Sequence, residues 1–120
     1  MIYADNAATT KMSEVAINTM VSLMNETYGN PSSLYTFGQK AKEALEKARA
    51  DVAAVIGADK KEILFTSGGS EADNQAIISA AELGKKNGKK HIISTAFEHH
   101  AVLHTLNKLA KEGFEITLLL

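Results

Sequence analysis

Two serines and two glycines, Ser67-Gly68-Gly69-Ser70, form the stretch of this sequence that is best suited to bind a ligand. They follow a short apolar run, Ile63–Phe65, that predicts a strand, and they precede a segment with a helical pattern. Glycine lets the backbone turn sharply and lets a ligand approach without a Cβ in the way. A helix beginning here would present free N–H groups and the positive end of its dipole, which predicts an anion site for a phosphate.

A tight turn that binds nothing is the alternative interpretation of the same four residues. A Walker loop is excluded, because no Gly-Lys-Ser/Thr follows the glycines. The helix start has a signal of its own, since Ser70 and Asp73 have the spacing of a capping box. We therefore expect Ser70 to be the N-cap of the helix and Glu71 to be its first helical residue.

Histidines 99, 100 and 104 form the second group of residues that could do chemistry. His99 lies in a loop, Ala96–His100, after a short apolar strand, and a neutral imidazole there could stack on an aromatic ligand or transfer a proton. His100 and His104 are four residues apart on a predicted helix with Glu98 nearby, so a metal site is an alternative. We expect them to be exposed histidines instead, because the zincin glutamate is missing and no further ligand is evident.

Seven elements are needed to position these residues, and apolar periodicity with helix-end signals predicts their order. The order is helix, helix, strand, helix, strand, helix, strand. The predicted bounds are Ser13–Met24, Ser33–Ile56, Ile63–Phe65, Glu71–Lys86, His91–Thr95, a helix between His100 and Gly113, and Phe114–Leu120.

Strands that alternate with helices predict an α/β architecture with parallel strands and right-handed crossovers. In open α/β sheets, ligands bind at the carboxyl ends of the strands. The loops Ser67–Ser70 and Ala96–His100 both occupy that position, so we expect the glycine turn and His99 to lie at the same edge of the sheet.

Composition excludes several classes of function for these 120 residues, a length typical of one domain. Thirteen basic and 14 acidic residues leave a net charge of −1, which argues against charge-driven binding of nucleic acid or membrane surfaces. Cysteine is absent, so the chain has no disulfide, thiolate metal site or cysteine nucleophile. Without a signal peptide or a membrane-spanning stretch, a soluble cytoplasmic protein is expected.

Four motifs in order resemble those of the cysteine desulfurases, which are pyridoxal 5'-phosphate (PLP) enzymes of the class V aminotransferase group. The resemblance runs through the whole chain and implies the N-terminal portion of the large domain of a fold-type I PLP-dependent transferase. The four motifs are Tyr3-Ala-Asp-Asn-Ala-Ala-Thr-Thr10, Tyr28-Gly-Asn-Pro-Ser-Ser33 with Phe37-Gly38, Phe65-Thr-Ser-Gly-Gly-Ser-Glu-Ala-Asp-Asn74, and Glu98-His-His-Ala-Val-Leu103.

The resemblance also implies roles for single residues. Gly69 and Ser70 match the positions that bind the PLP phosphate, and His99 matches the histidine that stacks on the pyridine ring. It implies a homodimeric parent enzyme that converts L-cysteine to L-alanine and passes persulfide sulfur to an acceptor protein for iron–sulfur clusters or other sulfur compounds.

The same resemblance implies that residues 1–120 are a fragment of such an enzyme and inactive alone. In relatives the Schiff-base lysine, the aspartate facing the pyridine nitrogen, the arginine for the substrate carboxylate and the persulfide cysteine all lie further along the chain. Four strands of those relatives separate the first strand from the next two, so the fragment is expected to leave sheet edges unpaired. Two alternatives to a cysteine desulfurase fragment remain. One is a fragment of a selenocysteine lyase, and the other is a non-catalytic α/β fragment that binds a phosphate compound or a partner chain.

Overall fold

The computed structural model describes residues 2–120, and the chain divides into two compact units. The N-terminal unit ends at Ile63, and the C-terminal unit spans Leu64–Leu120. Within residues 2–120, every helix is too short or too polar to cross a membrane.

Two helices form most of the N-terminal unit, and their ends carry the capping signals that the sequence predicts. Helix α1 spans Glu14–Glu26, and the Ser13 hydroxyl oxygen accepts a hydrogen bond from the amide of Ala16 at 3.2 Å. Helix α2 spans Thr36–Ile56 and ends at Gly57, whose φ of 68° is the left-handed conformation that favours glycine. The two predicted helices are therefore confirmed, although α2 begins three residues later than expected.

The turn before α2 is held by close backbone packing that excludes a side chain at Gly38. The carbonyl of Asn30 accepts from the amide of Ser33 at 2.9 Å, and its side-chain oxygen accepts from the amide of Ser32 at 2.9 Å. A Cβ built on buried Gly38 would lie 2.5 Å from both the Asn30 carbonyl oxygen and the Ser33 Cβ. Glycine is therefore required here by contact rather than by backbone conformation.

Replacing Gly38 by alanine should destabilise the protein, although the same change in an open helix position stabilises by about 1 kcal/mol. The added methyl group overpacks the turn, and we expect a loss of about 2 kcal/mol in the free energy of unfolding by urea. Gly69→Ala is the matched control, because nothing lies within 4 Å of a Cβ at that helical position. Equal stability of the two variants would contradict this account of the turn.

The C-terminal unit consists of one helix followed by a βαβ unit with parallel strands. Helix α3 spans Gly69–Lys86, strand β1 His91–Thr95, helix α4 His100–Lys111 and strand β2 Glu115–Leu119. The two strands are parallel, with Ile92 opposite Ile116. Their partly buried side chains pack with Ile77 against a core of Ala81, Leu109 and Phe114. The parallel α/β architecture predicted for this region is confirmed.

The first predicted strand, Ile63–Phe65, is not formed. Ile63 has extended backbone angles, but residues 63–66 form no strand, and the sheet of the described residues contains β1 and β2 only. A strand requires a neighbour for its backbone N–H and C=O groups. Among residues 2–120, each of the two observed strands has one neighbouring strand, so no further strand pairs with either outer edge of this sheet.

The predicted apolar stripes of the first two helices are largely exposed. No residue of α1 is buried, and α2 buries only Gly38, Ala41 and Ala53. Val55, which the pattern places on the apolar face of α2, is 85% exposed. The periodicity identifies the helix and its apolar face correctly, but the described residues do not cover that face.

Candidate functional site

The loop before α3 presents backbone N–H groups to solvent. The first hydrogen bond within α3 runs from the amide of Ala72 to the carbonyl of Gly68, at 3.1 Å. The amides of Gly69, Ser70 and Glu71 therefore precede that hydrogen bond, as the first amides of every helix do. Together with the positive end of the helix dipole, they form a donor set suited to an anion.

The two glycines of this loop border open space. Neither Gly68 nor Gly69 has a left-handed φ angle, so the expectation that the turn depends on glycine's backbone freedom is wrong. A Cβ at either position would point into open space, with nothing within 4 Å. Neither glycine position therefore places a side chain beside the loop, and a phosphate group fits donors arranged at such a helix start.

The predicted capping box of Ser70 and Asp73 is also wrong. The helix begins at Gly69 with Gly68 as its N-cap, which places Ser70 inside the first turn. The acidic side chain that bonds back to the preceding loop is that of Glu71. Its Oε2 accepts hydrogen bonds from the amide of Ser67 at 2.7 Å and from the Ser67 hydroxyl at 2.6 Å. Ser70 keeps its hydroxyl at the helix N-terminus, with no hydrogen bond to any other side chain or backbone group within residues 2–120.

The two hydrogen bonds from Ser67 lower the pKa of the Glu71 carboxyl below its usual value of 4.5. The Ser67 hydroxyl contributes more to this shift than the Ser67 amide. Glu71 is thus ionised at neutral pH. Its interaction with Ser67 favours the folded loop there, and that contribution is lost as the pH falls through the lowered pKa.

His99 is the N-cap of α4. Its Nδ1 accepts a hydrogen bond from the amide of Ala101 at 3.1 Å, which places the proton of the neutral ring on Nε2. The loop before it is held by the hydroxyl of Thr95, which donates to the Glu98 carboxylate at 2.8 Å. The structure thus gives His99 a fixed ring orientation at a strand end, with the ring exposed.

His100 and His104 lie together on the first turns of α4. Both are exposed, and their ring centroids are 5.6 Å apart in an edge-on arrangement. Residues 2–120 contain no group of three His, Cys, Asp or Glu side chains that could hold a metal ion. The geometry offers this pair no further ligand.

Helices α3 and α4 bring Ser70 and His99 to the same end of the C-terminal unit. Asn74 of α3 contacts the buried Thr105 of α4 through their side-chain oxygens, and further along both helices Ala81 and Leu109 share one core cluster. The contacts follow the same order along both helices, so the helices run parallel. Ser70 precedes the Asn74–Thr105 contact by four residues and His99 precedes it by six, so both N-termini lie beyond this contact, about 6–9 Å along the helix axes.

Two of these interactions were not predicted from the sequence. The four-residue spacing of Ser67 and Glu71 is visible in the sequence. The sequence favours the Ser70–Asp73 pair, however, because its three-residue spacing is the one typical of a capping box. The Asn74–Thr105 contact joins residues 31 positions apart, and no local pattern indicates such a pair.

A protein-family match covers almost the whole chain. The family described as aminotransferase class-V matches residues 2–119. Cysteine desulfurase IscS of Clostridium botulinum (strain Hall) is 50% identical over 118 residues, and that of Neisseria meningitidis serogroup C is 50% identical over 119. Each match covers 98% of this chain but only 30% and 29% of the two relatives. The chain therefore spans about three-tenths of the length of these relatives.

Solved structures support the same grouping. A NifS-like protein has a TM-score of 0.87 and 39% sequence identity, covering 95% of this chain and 31% of its own. The structure described as SspA in complex with cysteine has a TM-score of 0.86 and 35% identity, covering 98% of this chain and 33% of its own.

Proposed function

Because the chain belongs to the aminotransferase class-V family, we propose that it supplies the PLP phosphate- and ring-binding part of a cysteine desulfurase. The family and its cysteine desulfurases are PLP-dependent. The enzyme would convert L-cysteine to L-alanine and pass the sulfur, as a persulfide, to an acceptor protein.

A single observation carries this proposal: the N-termini of α3 and α4 lie at one end of a parallel helix pair. One N-terminus offers exposed amides with the Ser70 hydroxyl, and the other holds the ring of His99 in place. An anion-binding group beside an oriented imidazole suits a ligand that carries both a phosphate and an aromatic ring.

Three residues would hold the cofactor. The amides of Gly69 and Ser70 and the Ser70 hydroxyl would bind its phosphate, and the His99 ring would stack on its pyridine ring. PLP itself supplies an electron sink for the substrate's α-carbon. His99 would in addition hold a proton on Nε2, because its Nδ1 is engaged by the amide of Ala101.

The substrate and partners in this proposal follow from the relatives. Their names specify cysteine desulfurase, and one related structure is described as containing cysteine. A homodimeric, cytoplasmic enzyme that serves iron–sulfur cluster assembly is consistent with these relatives and belongs to the proposal.

Replacing Ser70 by alanine tests the phosphate site in the protein as expressed from its own gene. The change keeps the amide and removes one charge-assisted hydrogen bond, which should weaken PLP binding by roughly 1.5–3 kcal/mol, about tenfold to a hundredfold. PLP occupancy after dialysis, read from its absorbance, measures the loss. Ser79→Ala is the matched control, because Ser79 lies on the same helix more than two turns away from the loop.

Retention of PLP by Ser70→Ala at the parent's affinity would show that this helix N-terminus does not bind the phosphate. Absence of PLP-dependent alanine production from cysteine in the parent protein would contradict the proposed activity itself.

A further inference from the structure

Glu71 and Ser67 close a small ring across the start of α3. One oxygen of Glu71, Oε2, accepts from both the amide and the hydroxyl of Ser67, at 2.7 and 2.6 Å. The hydroxyl of Thr66 adds a third bond inside the loop by donating to the carbonyl of Gly68 at 3.1 Å. The backbone from 66 to 71 is therefore held by its own side chains.

This ring separates the roles of the two serines. Both polar groups of Ser67 are engaged by Glu71, so Ser67 has neither its amide nor its hydroxyl proton left for a ligand. The Ser70 hydroxyl has no such partner within residues 2–120. The ligand-binding donors are thereby confined to the first turn of the helix.

The ring also determines where the charge of Glu71 is held. An ionised carboxylate in the first turn of a helix is attracted to the same free amides as a phosphate. The two donors of Ser67 hold the Glu71 carboxylate on the loop side instead. Its negative charge is partly offset there, and the amides of the first turn stay open.

We propose that Glu71 is a positioning residue, which fastens Ser67 to the first turn of α3 and so keeps the Gly69 and Ser70 donors arranged for the PLP phosphate. The proposal rests on the function proposed above. Glu71 itself does not touch the cofactor in this account.

Two variants of Glu71 separate its geometry from its charge in the protein expressed from its own gene. Glu71→Ala removes the acceptor, so we expect the Ser67 amide to exchange with solvent about tenfold faster and PLP affinity to fall about fivefold. Glu71→Gln retains one carbonyl oxygen that can accept both bonds, so exchange and affinity should stay within about twofold of the parent. Glu82→Ala, an exposed acid on the same helix, is the control and should change neither quantity.

Hydrogen exchange of a peptide covering the loop is measured on the PLP-free protein, so this readout does not depend on activity. Saturating PLP should restore the turnover of Glu71→Ala, as expected for a positioning residue. Unchanged Ser67 exchange in Glu71→Ala, or an equal loss of PLP affinity in Glu71→Gln, would overturn the proposal. If Glu71→Ala binds PLP normally while Ser70→Ala does not, only this inference fails; if Ser70→Ala also binds normally, the phosphate site fails with it.

Discussion

Residues 1–120 expressed by themselves should release no alanine from cysteine above the rate of free PLP. The sequence contains no cysteine, so no thiol of this polypeptide can accept the sulfur as a persulfide. The resemblance to the desulfurases assigns the cofactor-binding lysine and the substrate-binding arginine to segments that lie further along the relatives. Without those groups, the site that we propose would bind part of the cofactor but could not carry out the reaction.

The measurement compares alanine production by this polypeptide, by the same polypeptide with His99→Ala, and by free PLP at equal concentration. All three rates should be the same. A higher rate for the unmodified polypeptide that His99→Ala abolishes would show that residues 1–120 contain a working active site, and it would contradict the roles assigned to the missing groups.

Three helix ends, the start of α1 and the ends of α2 and α4, were predictable because their signals are local. Ser13 caps α1 through its own side chain, and Gly57 ends α2 in the left-handed conformation that the helix stop requires. Gly113, also at a positive φ of 90°, separates α4 from β2. In each case the residue type that the backbone needs stands within a few positions of the element it ends, so sequence is sufficient.

The strand predicted at Ile63–Phe65 shows what local pattern cannot supply. Its apolar residues favour an extended backbone, which Ile63 adopts, but a strand also needs a hydrogen-bonding neighbour. The apolar face of α2 is exposed for a similar reason, because a local pattern does not specify what packs against it. Periodicity identifies the side of a helix that is apolar, and only the remainder of the fold determines whether another layer covers it.

The sequence predicts that Ser70 and His99 lie at the same end of the fold, as the helix contacts show, but it does not predict the hydrogen bonds around them. Ser70 and Asp73, three residues apart, have the capping-box spacing, whereas Ser67 and Glu71, four apart, can bond only if Ser67 precedes the N-cap. The choice between them depends on where the helix begins, and the observed start at Gly69 favours the second pair. A boundary shift of two residues is enough to place the hydrogen bonds of the helix start on Ser67 instead of Ser70.

His99→Ala should lower turnover of the protein expressed from its own gene at least about a hundredfold, the usual loss when an acid–base group is removed. PLP should be retained better than in Ser70→Ala, because the phosphate donors on α3 are unchanged. His100→Ala should alter neither turnover nor PLP content, since the ring-stacking role is proposed for His99 and the His100 ring lies edge-on to its two neighbouring histidines.

A third variant separates the ring of His99 from its role as a helix cap. Asparagine is among the best N-cap residues, so His99→Asn should replace the bond to the amide of Ala101 and preserve the start of α4. If the ring stacks on the cofactor and holds a proton on Nε2, His99→Asn should lose as much turnover as His99→Ala while it keeps the stability of the parent. Recovery of turnover by asparagine would mean that His99 matters only as a cap. Damage from His100→Ala as large as from His99→Ala would mean that the ring-stacking role has been assigned to the wrong histidine.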